Sequence, residues 1–239
     1  MQISPVHYDM PSGTDDKAVR TRHRNRRRRV LVLPRYTVGE EIFNGVSHGV
    51  GAALAVAALV LLLLRGTSLT ARISCAIFGG SMILLYTISC LYHSLKVNRG
   101  KKVLQVLDHC TIYLLIAGTE TPLSLLVFPY PRNVIVCAVA WGIAVFGIIL
   151  NAVDMRRFRV VSMICYIGLG WMIAFFFQDL FHGMDIYSLV MLILGGVIYT
   201  VGAILFGLGR KIAYMHSVFH LFVLAGSFFH FLMIYHIVG

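Results

Sequence analysis

Two histidines four residues apart, His216 and His220, can hold one metal ion if the chain between them is helical, because positions i and i+4 share a helix face. Ser89 and His93 repeat that spacing, and so do Asn44 and His48. Asp108 is an acid in an otherwise apolar stretch. Two histidines from one helix and a third from another, His93, make a three-nitrogen set suited to zinc, with one tetrahedral position left for water. Zinc lowers the pKa of such a water to about 7. Asp108 would then accept a hydrogen bond from the water and act as general base, and Ser89, one turn before His93, would orient it or donate to a developing oxyanion. Asn44 and His48 suit a supporting role, orienting a ligand or substrate. His109, about 100° round a helix from Asp108, falls outside the set. A single histidine of this kind is more often a hydrogen-bonded packing residue, so the weight rests on the combination.

The elements that must position these groups are apolar runs. Hydrophobic residues make up 58% of the 239 positions, gathered in stretches of membrane-spanning length with little charge. Lipid offers no partner to unpaired backbone groups, so such stretches are helices. Seven spans are predicted, at 42–65, 70–93, 105–128, 132–152, 160–179, 187–208 and 213–237, as one antiparallel all-α bundle over residues 40–239. Gly45 and Gly49, and Ala203 and Gly207, have the spacing that lets helices approach closely in lipid.

Charge sets the expected orientation. The net charge is +11, but the basic residues sit between the runs, a topology signal rather than a nucleic-acid footprint. With the N-terminus inside, 18 of the 21 Lys and Arg face the cytosol; Arg65, Arg72 and Arg132 face out. The C-terminus then lies outside. Residues 1–39, with nine Lys and Arg between Lys17 and Arg35, read as a disordered tail that adheres to anionic headgroups. In this topology the first and second spans, the third and the seventh all bring their polar groups to the cytosolic leaflet. Asn44, His48, Ser89, His93, Asp108, His216 and His220 therefore share one depth, although depth and motif were read independently.

A second polar group, Glu120, Asp179, His182, His230 and His236, belongs to the outer half. Glu120, deep in a span, reads first as a paired or snorkelling group near the outer interface, and otherwise as a partner of His230 or a cavity-lining acid. Cys75, Cys90, Cys110, Cys137 and Cys165 all lie in apolar runs and read as small buried hydrophobes.

Four segments together resemble the hemolysin III family, the bacterial branch of the progestin and adiponectin receptor superfamily. They are Glu41-Ile-Phe-Asn44-Gly-Val-Ser-His48-Gly, Ser89-Cys-Leu-Tyr-His93-Ser, Leu107-Asp108-His109 through Pro122, and His216-Ser-Val-Phe-His220-Leu-Phe. The resemblance runs from about residue 40 to the end. It implies seven transmembrane helices with a cytosolic N-terminus, and zinc held by His93, His216 and His220, with Asp108 near the zinc water and Ser89 as the motif serine. Eukaryotic relatives are similar to ceramide amidases, whereas the family name comes from pore-forming, cytolytic behaviour. One departure is Glu120, where an aromatic residue is expected.

Three functions compete on this reading. A zinc-dependent hydrolase would cleave a membrane-lipid amide or ester, with the lipid entering between helices. A channel or cytolysin would need a polar path, and no span carries a ring of charge. A receptor or sensor would use zinc structurally, with Asp108 as a direct fourth ligand. The localisation expected is a cytoplasmic membrane, or an internal one in a eukaryote.

Overall fold

Polar side chains cap the starts of the first three spans. In the computed structural model, which describes residues 33, 34, 36–208 and 212–239, α1 (Val38–Arg65) begins with a reciprocal pair: Glu40 N–H donates to Thr37 Oγ1 at 3.2 Å, and Thr37 N–H donates to Glu40 Oε2 at 2.7 Å. Ser68 caps α2 (Leu69–Ser94) and Asn98 caps α3 (Arg99–Val127), each accepting from a backbone N–H of the first turn. Then come α4 (Arg132–Asp154), α5 (Arg159–Trp171), a 3₁₀ segment (Met172–Phe176), α6 (Phe177–Gly183), α7 (Ile186–Leu208) and α8 (Met215–Ile237). Seven stretches are long and apolar enough to cross a membrane, with α5, the 3₁₀ segment and α6 together making the fifth. The fold is an all-helical seven-span bundle.

The fifth span departs from the single helix expected over 160–179. Gly168 and Gly170 are poor helix formers, and a run of three phenylalanines follows at Phe175–Phe177. The winding tightens between them, in a stretch whose Ile173 and Ala174 line an internal cavity.

α3 is the hub. It packs on α2, α4, the fifth span and α8, while α1 joins α2 to α8. Gly45 and Gly49 do face α2: a side chain on Gly45 would meet His93 and Ser94, and one on Gly49 the Cys90 sulfur. The matching reading of Ala203 and Gly207 fails, because Gly207 faces open space and Ala203 lines the cavity. The close approaches on α7 are made at Gly195, against His230, and at Gly202, against Phe222, both on α8. The five cysteines are free; Cys75 and Cys110 are buried and the others half-buried.

Most of the expected basic tail, and Arg210 and Lys211, lie outside the described residues. Its last few residues belong to the bundle: Leu33 is buried, and the Tyr36 ring stacks on His216 with centroids 5.1 Å apart. Lys101, one of the expected cytosolic surface charges, is only 2% exposed.

Candidate metal centre

α8 starts at the same end of the bundle as α1, and the two starts are tied together. Tyr214 takes the left-handed conformation (φ 60°), and its N–H donates to Glu40 Oε1 at 2.8 Å. This sets the first turn of α8, from which His216 and, one turn on, His220 point inward. α2 ends at that level and brings His93. The three side chains each place one ring nitrogen within 4.8 Å of the others.

The spacing is that of a metal set. His216 Nε2 lies 3.3 Å from His93 Nε2 and 3.1 Å from His220 Nε2. Tetrahedral ligands at Zn–N distances of about 2.0–2.1 Å stand roughly 3.3–3.4 Å apart. Proton counting points the same way. The His93 Nδ1 to Glu41 Oε2 contact is 2.7 Å, and a carboxylate only accepts, so Nδ1 carries the hydrogen and neutral His93 offers a bare Nε2. His216 Nε2 has only one hydrogen to offer its two neighbours. With three neutral rings, a single N–H at His216 Nε2 would have to be shared between two bare nitrogens; a central cation satisfies all three. The second nitrogens of His216 and His220 have no partner among the described residues.

Glu41 is thus the carboxylate behind His93, and a cation anchors it in turn. Lys101 Nζ donates to Glu41 Oε1 at 2.5 Å and to the Leu95 carbonyl at 2.9 Å, and sits 5.1 Å above the Tyr92 ring. Outer partners of this kind fix the tautomer and the ring plane of a ligand histidine. The sequence reading gave Glu41 and Lys101 no role. A signal for Glu41 was there, since Glu41, Asn44 and His48 stand at i, i+3 and i+7 and so share one helix face.

The other expected residues surround the triad. The His48 ring stacks on His220, with centroids 3.7 Å apart and planes 10° apart. Asn44 is fully buried with both side-chain polar atoms unpartnered, but it does not line the cavity. Asp108 and Ser89 do line it, beside His48, His216 and His220. Ser89 Oγ is buried beside the Asp108 carboxyl. Asp108 stands outside the three-histidine cluster. His109, excluded on helix geometry, accepts no role at the triad: its Nδ1 bonds the Gln105 carbonyl at 2.9 Å, 4.0 Å from Asp108 Oδ2.

The cavity, about 370 Å³, runs from this layer between α3, the fifth span, α7 and α8, and reaches Glu120 and His230. The outer polar group does not assemble as a unit. Asp179 pairs with Arg132 at 2.7 Å, His182 bonds the Gln178 carbonyl at 2.6 Å, and His236 lies 3.3 Å from Asp185. Glu120 and His230 are not hydrogen-bonded to each other; both line the cavity.

The profile of the haemolysin-III-related family matches residues 36–231. The chain belongs to this family. It is 39% identical over 193 residues to Hemolysin-3 of Bacillus cereus, covering 80% of this chain and 88% of that one. It is 35% identical over 195 residues to the Hemolysin-3 homolog of Bacillus subtilis (strain 168), covering 80% and 91%. Similarity to the human monocyte to macrophage differentiation factor, 25% over 171 residues and about 70% of each chain, supports the wider progestin and adiponectin receptor superfamily. The protein is a multi-pass integral membrane protein.

Proposed function

We propose that this family member is a zinc-dependent hydrolase of a membrane-lipid amide or ester, with His93, His216 and His220 as the metal ligands. The observation that carries the reading is the place of Asp108: it lines the cavity next to Ser89, yet stands apart from the three-nitrogen cluster, which leaves a fourth position open. Zinc on three imidazoles supplies a Lewis acid and an activated water. Asp108 would be the proton carrier of such a hydrolysis, accepting a proton at its carboxylate from the attacking water and returning it to the departing amine or alcohol. Ser89 Oγ, which lines the cavity beside Asp108, would donate to the developing oxyanion. Stacking on His48 holds the His220 ring.

The cavity supports a lipid substrate. Its lining is chiefly aliphatic and aromatic, including Leu115, Ile116, Leu192, Phe206 and Val223, which suits an acyl chain better than the polar path of a channel. It lies where the fifth span and α7 make few contacts, bridged by the Trp171 Nε1 to Thr200 Oγ1 bond at 2.9 Å. The triad end of the bundle faces the cytosol in this proposal, the basic tail rests on anionic headgroups, and the membrane is the cytoplasmic one.

The test is zinc per chain in protein purified without chelator, beside a His216→Ala, His220→Ala variant, followed by ceramide hydrolysis. About one zinc in the wild type, none in the variant and zinc-dependent release of fatty acid support the reading. No zinc after adding it back would sink it, and the triad would be a packed polar core. Zinc without hydrolysis would favour the receptor reading.

A further inference from the structure

Glu120 and His230 are what the outer half leaves unexplained. Glu120 is 4% exposed, and its side chain makes no hydrogen bond or ion pair among the described residues, with Oε2 fully enclosed. His230 is 8% exposed, and its Nε2 lies 3.3 Å from the Leu192 carbonyl. A carbonyl only accepts, so Nε2 carries the hydrogen, and neutral His230 offers Nδ1 as a bare acceptor that meets no partner. Groups of this kind are costly inside a membrane-spanning bundle. Asp179, His182 and His236 make their contacts at the exposed surface; Glu120 and His230 instead line the same cavity as the triad, one from α3 and one from α8.

The cavity therefore has two polar poles joined by an apolar wall. Asp108 to Glu120 is about 18 Å along α3, and His220 to His230 about 15 Å along α8, at about 1.5 Å per residue. Carbon–carbon bonds of about 1.52 Å at tetrahedral angles advance ~1.25 Å per methylene, so a chain of roughly 12 to 14 carbons spans the gap.

We propose that Glu120 and His230 form a distal recognition site for a hydroxyl at the far end of the chain, so that the preferred ligand is an ω-hydroxylated acyl lipid of about that length. A hydroxyl both donates and accepts, so it satisfies the Glu120 carboxyl in either protonation state. It also passes through hydrocarbon at far lower cost than an ammonium group. This deepens the hydrolase reading, since it takes the triad as the end where the acyl carbon sits.

The test is binding, not turnover. Purified full-length protein in detergent is loaded with a fluorescent fatty acid. That probe is displaced by the ω-hydroxy acid of the stated length or by the unhydroxylated acid of the same length. Wild type is expected to prefer the hydroxy acid about tenfold, the worth of one to two buried hydrogen bonds. Glu120→Leu loses the preference while still binding the plain acid, which shows an intact cavity; Glu120→Gln, still able to hydrogen-bond, keeps part of it. Equal affinity for the two acids in wild type, or a preference that survives Glu120→Leu, overturns the proposal, as does failure of both acids to displace the probe. The His216→Ala, His220→Ala variant separates the two readings. A hydroxyl preference in protein that never binds zinc supports the distal site and removes only the hydrolase. Normal zinc with no preference removes only the distal site.

Discussion

Removing the Glu41 carboxylate is expected to weaken zinc binding by about 10- to 100-fold without touching a ligand atom. The His93 side chain is fully enclosed, and its Nδ1–H is held by Glu41 Oε2 at 2.7 Å. A charge-assisted hydrogen bond of this kind contributes about 1.5–3 kcal/mol. A 10- to 100-fold loss corresponds to about 1.4–2.7 kcal/mol, so the two figures agree. Glu41→Gln keeps the shape, but its amide can present an N–H to Nδ1, and His93 can then place its own hydrogen on Nε2, where the metal binds. One complication is Lys101, whose buried ammonium loses its counter-charge, and an uncompensated buried charge costs about 3–5 kcal/mol. The double variant Glu41→Gln, Lys101→Met removes that charge as well. Competition with a chelator of graded affinity at constant pH, counting zinc per chain, gives the affinity of each variant. The reasoning requires the double variant to remain at least tenfold weaker than wild type. Recovery of wild-type affinity would show that the orphaned lysine, not the orientation of His93, caused the loss. Affinity within about twofold of wild type in both variants, with His93→Ala binding none, would refute the role of Glu41.

Three further outcomes follow from the geometry. Asp108→Asn should keep its zinc, since Asp108 stands outside the histidine cluster, but lose hydrolysis by about 10²- to 10⁴-fold, measured by release of fatty acid from ceramide. Gly147→Ala would push a methyl group into the Tyr113 ring and should cost about 1–3 kcal/mol in a thermal unfolding assay, whereas Gly142→Ala, with nothing within 4 Å, should be neutral or better. A C-terminal fusion to a reporter active only outside the cytosol should be active; an inactive reporter, with a cytosolic one active instead, would invert the proposed orientation.

The spans were legible because crossing hydrocarbon demands about 20 apolar residues in a row, a constraint each segment must satisfy alone. The pairing of His216 with His220 was legible for a similar reason: helical periodicity places i and i+4 together whatever the rest of the chain does. The shared level of His93 and the α8 histidines followed from their places at the ends of alternating spans. The interruption at Met172–Phe176 was not legible, because an apolar run reads the same whether its winding is 3.6 or 3 residues per turn. Nor was the failure of Gly207 as a contact, since small-residue spacing does not say which face of α7 meets a neighbour.

Sequence by itself determined the number of spans, the ligand chemistry on offer and the end of the bundle that carries it, since each of these depends on local period, length and residue type. Only the tertiary structure decided which groups touch: Glu41 behind His93, Lys101 drawn inside to meet it, Asp108 in the cavity but apart from the histidines, and Glu120 and His230 lining one cavity without bonding each other. The reason is physical. Those relations depend on how each helix is rotated about its axis and which neighbour it packs against, and that is settled by side-chain packing summed over the whole bundle rather than within any one segment.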